Sequence, residues 1–213
     1  MVEIGGQPIL WHIMNAYATG GYHEFIIALG YKGEVIKNFF SHYTHPSNWK
    51  IDLVETGLET GTGGRLKHLA PLIGKNTFLM TYGDGVSNVD LTKLVAFHRQ
   101  QQKLATVTAV RPPARFGRLE IEGDRVTSFI EKPQMSEGWI NGGFFVLEPK
   151  IFDYINDDHV MFEQAPLEKI ARDNQLVAFR HNGFWQCVDT VRDLRLLNDM
   201  WQRKETPWKT WKD

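Results

Sequence analysis

Short apolar runs alternate with helix-patterned segments as far as residue 110, and this alternation constrains the fold more than any other feature. Pro8 precedes Ile9-Leu10-Trp11-His12-Ile13-Met14-Asn15-Ala16-Tyr17, whose apolar residues recur at helical spacing, and Gly20-Gly21 ends the pattern. Phe25-Ile26-Ile27-Ala28-Leu29 is a continuous apolar run, the pattern of a strand buried on both faces. By the same criteria, helices are expected over 35–40, 65–72 and 91–101, and strands over 51–54, 77–81 and 105–110. Strands separated by helices predict an α/β fold with a mostly parallel, Rossmann-like sheet covered by helices on both faces.

After residue 110 the pattern changes. Segments 119–121 and 125–129 flank Glu122-Gly123-Asp124 as an antiparallel hairpin, and a further strand is expected over 142–147. Helices over 149–155, 163–173 and 191–204 and a strand over 176–180 complete the expectation, with no repeat or linker. Residues 1–213 therefore predict a single domain, for which 42% hydrophobic residues supply enough core.

Composition narrows the function classes. Lys and Arg number 24 against 25 Asp and Glu, a balance that excludes a bulk nucleic-acid binder. Cys187 is the one cysteine, so neither a disulfide framework nor a Cys-rich zinc site is available. No apolar run approaches the roughly 18 residues that span a bilayer, and no basic-then-apolar start marks a secretory signal. A soluble cytoplasmic chain with no membrane partner is expected.

Few stretches carry chemistry. Thr81-Tyr82-Gly83-Asp84-Gly85-Val86 runs a buried strand into Gly-Asp-Gly, placing Asp84 at the sheet edge where open α/β folds bind ligands. A Mg²⁺ ligand and an ordinary turn are equally good accounts of that carboxylate. Asp189 precedes the final helix and reads first as its N-cap. Thr60-Gly61-Thr62-Gly63-Gly64-Arg65 could offer backbone amides to a nucleotide, although no Walker sequence follows. Glu131-Lys132-Pro133 and Asn141-Gly142-Gly143 would suit a phosphorylated sugar, with Lys132 on the phosphate, if the fold brings them to one rim. In isolation Glu131 and Lys132 read as a solvated turn, and Arg115-Phe116-Gly117-Arg118 as a basic loop. The eight histidines show no metal-ligand spacing, and neither a Gly-x-Ser-x-Gly element nor a histidine partner for Cys187 is visible. The late tryptophans are explained by packing or a subunit interface.

In their order, Tyr82-Gly83-Asp84-Gly85-Val86, Phe116-Gly117, Glu131-Lys132-Pro133, Asn141-Gly142-Gly143-Phe144-Phe145 and Trp185-Gln186…Asp189-Thr190 resemble the sugar-1-phosphate nucleotidylyltransferases. Thr60-Gly61-Thr62-Gly63-Gly64-Arg65-Leu66-Lys67 and Pro207-Trp208-Lys209-Thr210-Trp211 look most like the branch that joins CTP to glucose 1-phosphate. The resemblance implies the nucleotide-diphospho-sugar transferase fold, and CDP-glucose and pyrophosphate as products. It implies Mg²⁺ between Asp84 and Asp189, and Thr60, Gly64, Arg65 and Gly83 on the nucleotide. It places Gly117, Glu131, Lys132 and Asn141 at the sugar phosphate, and makes Asp84, Lys132 and Asp189 the catalytic set. A homo-oligomer and a role in deoxysugar or O-antigen supply are also implied.

Family members begin with a buried strand and a Gly-rich loop ahead of the stretch that is here Val2-Glu3-Ile4-Gly5-Gly6, so the domain is expected to be N-terminally incomplete. Two other classes stay open: a metal-dependent glycosyltransferase of similar shape, and a catalytically impaired binding subunit.

Overall fold

Residues 1–111, 118–130 and 138–212 are described by a computed structural model; Gly117, Glu131 and Lys132 lie outside them. Strand β1 (Glu3–Ile4) turns through Gly5-Gly6 onto β2 (Gln7–Pro8), both glycines having positive φ. A Cβ at Gly5 would also enter the ring of Trp201. Pro8 hands the chain to α1 (Ile9–Thr19), which buries Ile9, Ile13, Met14 and Tyr17 along one face.

Next come β3 (Glu24–Leu29), α2 (Gly33–His42) and β4 (Lys50–Glu55), with β3 and β4 paired in parallel from Glu24↔Lys50 to Leu29↔Glu55. Short helices α3 (Thr62–His68) and α4 (Ala70–Ile73) stand where one helix was expected, and lead to β5 (Phe78–Met80). Strand β6 (Gly85–Ser87), helix α5 (Leu91–Gln101) and strand β7 (Ala105–Val110) follow. The expected hairpin is β8 (Arg118–Glu122) with β9 (Arg125–Ile130), turning at Gly123. Then β10 (Ile140–Asn141) and β11 (Phe145–Leu147) replace the single strand expected over 142–147. Gly143 and Phe144 between them have φ of 72° and 47°, so the extended chain is interrupted there. A 3₁₀ helix (Pro149–Tyr154), α6 (Ala165–Arg172), β12 (Leu176–His181), β13 (Trp185–Cys187) and α7 (Val191–Gln202) complete the order.

The central sheet runs β10-β7-β11-β5, with β12 parallel to β7 along its whole length. Strand β11 lies antiparallel between β5 and β7, so the sheet is mixed rather than mostly parallel. Strands β5, β7 and β12 still share one direction. The two reversed strands, β10 and β11, both follow the β8–β9 hairpin, which is why the helix–strand alternation of the first half did not announce them.

Side chains of β11 divide the core. Val146 packs with Ile13, Leu94, Leu197 and Trp208 on one face, whereas Phe145 and Leu147 pack with Leu66, Ile151, Phe162 and Ile170 on the other. Helices α1, α5 and α7 thus cover one face, and α3, α6 and the 3₁₀ helix the opposite one. Phe25 to Ala28 and Phe78 to Met80, expected to be fully buried, are half-buried. Among the described residues β3 pairs only with β4, and β5 only with β11, leaving each one open edge.

Candidate active site

Two carboxylates meet because two short strands pair. Beyond β5 the chain turns through Thr81-Tyr82-Gly83-Asp84 into β6, which pairs antiparallel with β13 in the register Gly85↔Cys187. One step further the Val188 amide donates to the Asp84 carbonyl at 2.8 Å, setting Asp84 beside Asp189. Burial raises the Asp84 pKa, and the neighbouring Asp189 charge raises it further, against the lowering effect of Asp84's own amide. The Cys187 thiol donates to Asp189 Oδ2 at 3.4 Å, and burial first, then that carboxylate, push its pKa up to about 12. A thiol so raised is a poor nucleophile at neutral pH.

Asp189 is not the cap of the last helix. Thr190 is: its hydroxyl accepts from the Asp193 amide, and Asp193 Oδ2 accepts from the Thr190 amide at 2.9 Å. Capping therefore gives no account of Asp189.

The pair lines a cavity of about 180 Å³ whose walls include Tyr82, Asn141, Trp185 and Cys187. Trp185 Nε1 donates to the Gly142 carbonyl at 2.8 Å, fastening the β13 wall to the segment after β10. Asn141 Nδ2 donates to Tyr82 Oη at 3.1 Å, and Asn141 Oδ1 accepts from the Gly143 amide at 2.8 Å. Gly83 lies in the chain between Tyr82 and Asp84, which both line the cavity, and a Cβ there would meet nothing within 4 Å. The geometry thus brings Gly83, Asp84, Asn141 and Asp189 together. Gly117, Glu131 and Lys132 lie outside the described residues. Tyr82, Trp185 and Cys187 carried no site assignment beforehand; Tyr82 was visible only as a neighbour of Gly-Asp-Gly.

The Gly- and Thr-rich segment is more heavily engaged than its composition suggested. Gly61 and Gly63 amides donate to the carbonyls of Asp158 and Val160 at 2.8 and 3.0 Å. At Gly64 a Cβ would sit 2.0 Å from the Asp158 carbonyl oxygen. These glycines let the start of α3 pack on the backbone of 158–162. Thr60 Oγ1 donates to the Thr56 carbonyl at 2.5 Å, and Arg65 Nη1 donates to the Leu29 carbonyl and Thr56 Oγ1 at 2.9 and 2.7 Å. Arg65 thereby ties the C-terminal ends of β3 and β4 to α3.

Asp84 and Asp189 suit a hard divalent cation. Both offer oxygen ligands, and the like-charge strain that raises Asp84 is relieved by a positive ion between them. Among the described residues no group of three or more His, Cys, Asp or Glu side chains could hold a metal. Nor, among them, is any helix long and apolar enough to cross a membrane.

Known proteins similar to the chain identify its family. The chain is 46% identical to a glucose-1-phosphate cytidylyltransferase of Salmonella typhi, across 99% of its own length and 90% of that protein's. It is 43% identical to a probable glucose-1-phosphate cytidylyltransferase of Bacillus subtilis, across 99% and 91%. The crystal structure of HddC from Yersinia pseudotuberculosis superposes with a TM-score of 0.74 at 25% identity, covering 94% of this chain and 88% of that one. The nucleotidyl transferase family profile matches residues 1–203, and the chain belongs to that family.

Proposed function

We propose that this chain transfers a cytidylyl group from CTP to glucose 1-phosphate, giving CDP-glucose and pyrophosphate. The observation that carries the proposal is the Asp84–Asp189 pair at the cavity, in a chain so similar to cytidylyltransferases. A phosphate oxygen of the sugar phosphate forms a bond to the α-phosphorus of CTP, and the bond from that phosphorus to the bridging oxygen breaks as pyrophosphate leaves in line. The attacking group is already an anion, so no protein nucleophile or base is required. That fits a cavity whose one thiol is held protonated.

The family uses a divalent metal; Asp84 and Asp189 would hold it here, Mg²⁺ being the proposed ion, and when bound it supplies neutralisation of phosphate charge. The remaining roles follow the resemblance. Gly83 lets the nucleotide approach the backbone, and Thr60, Gly64 and Arg65 shape the nucleotide side. Asn141 faces the sugar phosphate with Gly117 and Glu131, and Lys132 neutralises its phosphate. Residues 1–213 are proposed as one nucleotidyltransferase domain. A cytoplasmic homo-oligomer supplying deoxysugar synthesis completes the proposal.

The test is pyrophosphate release from CTP and glucose 1-phosphate. Asp84→Asn and Asp189→Asn are each expected to lower the rate about 100-fold or more. Undiminished rates in both variants overturn the metal assignment. Binding of sugar phosphate without turnover identifies a binding subunit, and use of CDP-glucose as donor without pyrophosphate release identifies a glycosyltransferase.

A further inference from the structure

We propose that Glu163 and Tyr82 are positioning residues that hold the Asn141 carboxamide in one orientation, so that it offers an N–H rather than its carbonyl to the sugar phosphate. The proposal rests on the nucleotidyl-transfer reading for its substrate. Its geometry stands independently.

The chain of donors begins outside the cavity. The Phe162 amide donates to Thr62 Oγ1 at 2.8 Å, so the Thr62 hydroxyl proton points elsewhere, onto Glu163 Oε2 at 2.6 Å. The other oxygen, Oε1, is buried with no partner in hydrogen-bond geometry. An acceptor left so is costly, and the Tyr82 hydroxyl is the donor assigned to it: after burial, interaction with the Glu163 carboxylate is the next cause that raises the Tyr82 pKa. A carboxylate only accepts, so the phenolic proton turns toward Glu163 and the phenol oxygen is left as an acceptor. Asn141 Nδ2 donates to that oxygen at 3.1 Å, while the Gly143 amide fixes the opposite end, donating to Asn141 Oδ1 at 2.8 Å. The second Asn141 N–H remains for the cavity, which Asn141 and Tyr82 both line.

The Glu163 carboxylate thus sets the sense of the Tyr82 and Asn141 hydrogen bonds, while backbone amides fix Thr62 and Asn141 Oδ1. A flipped Asn141 would lose both its Gly143 and its Tyr82 partners, and would turn a lone pair toward an anionic substrate. The same carboxylate meets Thr62, so the nucleotide-side segment and the sugar-side wall share one anchor.

Glu163→Gln keeps the size and removes the polarity, because a carboxamide has one acceptor oxygen for two donors. Tyr82→Phe removes the relay and keeps the ring. In both, the KM for glucose 1-phosphate is expected to rise about three- to tenfold while kcat and the KM for CTP hold. The Asn141 side-chain amide gives a readout independent of catalysis. Its pair of ¹H–¹⁵N signals, identified by loss in Asn141→Asp, should move toward free-carboxamide positions in both variants without any ligand. If the Asn141 signals stay in place, or all kinetic parameters fall together, the relay is overturned. A wild-type chain that releases no pyrophosphate overturns the substrate reading instead, and leaves the signal shifts to decide the relay.

Discussion

A single added methyl group separates the glycines that build the site from those that open it. At Gly64 the methyl would be driven into the Asp158 carbonyl, so Gly64→Ala is expected to destabilise the chain by about 1–3 kcal/mol in urea titration. At Gly83 it meets nothing, and Gly83→Ala should leave the unfolding midpoint unmoved yet raise the KM for CTP. A loss of stability in the second variant and none in the first would reverse both assignments. Asp84 stood out in the sequence as a carboxylate at a strand end, but an ordinary turn accounted for it equally well, and only the pairing of β6 with β13 sets it beside Asp189. Asp189 was not legible from its spacing alone, since a residue just before a helix is a credible cap and only Thr190 and Asp193 take that role away from it. Glu163 and Tyr82 were hidden for a different reason. Their relation to Asn141 exists only in space, between segments with no periodicity in common.

Among the elements, α7 carries the clearest local signature. Thr190 and Asp193 satisfy each other's amides at its start, and Thr190→Ala should cost about 1 kcal/mol, or about 2–4 °C in Tm, by thermal melting. An unchanged melt would mean that packing through Leu197 alone fixes the helix end. Helical periodicity found every long helix, because a buried stripe is written into the residues that form it. Strand direction is not written that way. Phe145-Val146-Leu147 has the same apolar character whether it runs with or against β5, and its antiparallel placement follows from the connection before it. Strand β6 escaped notice because Gly85-Val86-Ser87 continues a turn motif and acquires its strand character from β13. The half-exposure of β3 and β5 comes from pairing rather than from composition. An apolar run expresses what a strand would bury, not how many neighbours it has.

Across the molecule, one buried imidazole joins distant parts of the chain. His12 on α1 is fully buried, with Nε2 against the Ile4 carbonyl at 2.9 Å and Nδ1 facing the Trp208 indole N–H at 3.4 Å. Burial is the main cause that lowers its pKa, outweighing the Ile4 carbonyl, and the Lys209 charge adds to it. The folded chain therefore keeps His12 neutral where the unfolded chain takes up a proton. Stability is whole above the unfolded value of about 6.5 and is lost as pH falls below it. Urea midpoints measured from pH 7.5 down to 5.5 should fall, and His12→Asn should flatten that dependence; an equally steep profile in the variant would remove His12 as its source. Half-buried His181, its pKa also lowered mainly by desolvation, contributes in the same direction.

The pairing of β6 with β13 also has a consequence in time. Asp84 directly precedes β6 and Asp189 lies two residues beyond β13; these strands have no other partner among the described residues, yet are far apart in sequence. During synthesis the ribosome releases Asp84 long before Asp189, and contacts between such distant segments close late. The concentrated negative charge that calls for a cation thus comes into being only after the surrounding sheet has been made. A half-made chain presents solitary acids, and the proposed cation site exists only once Asp189 has joined Asp84.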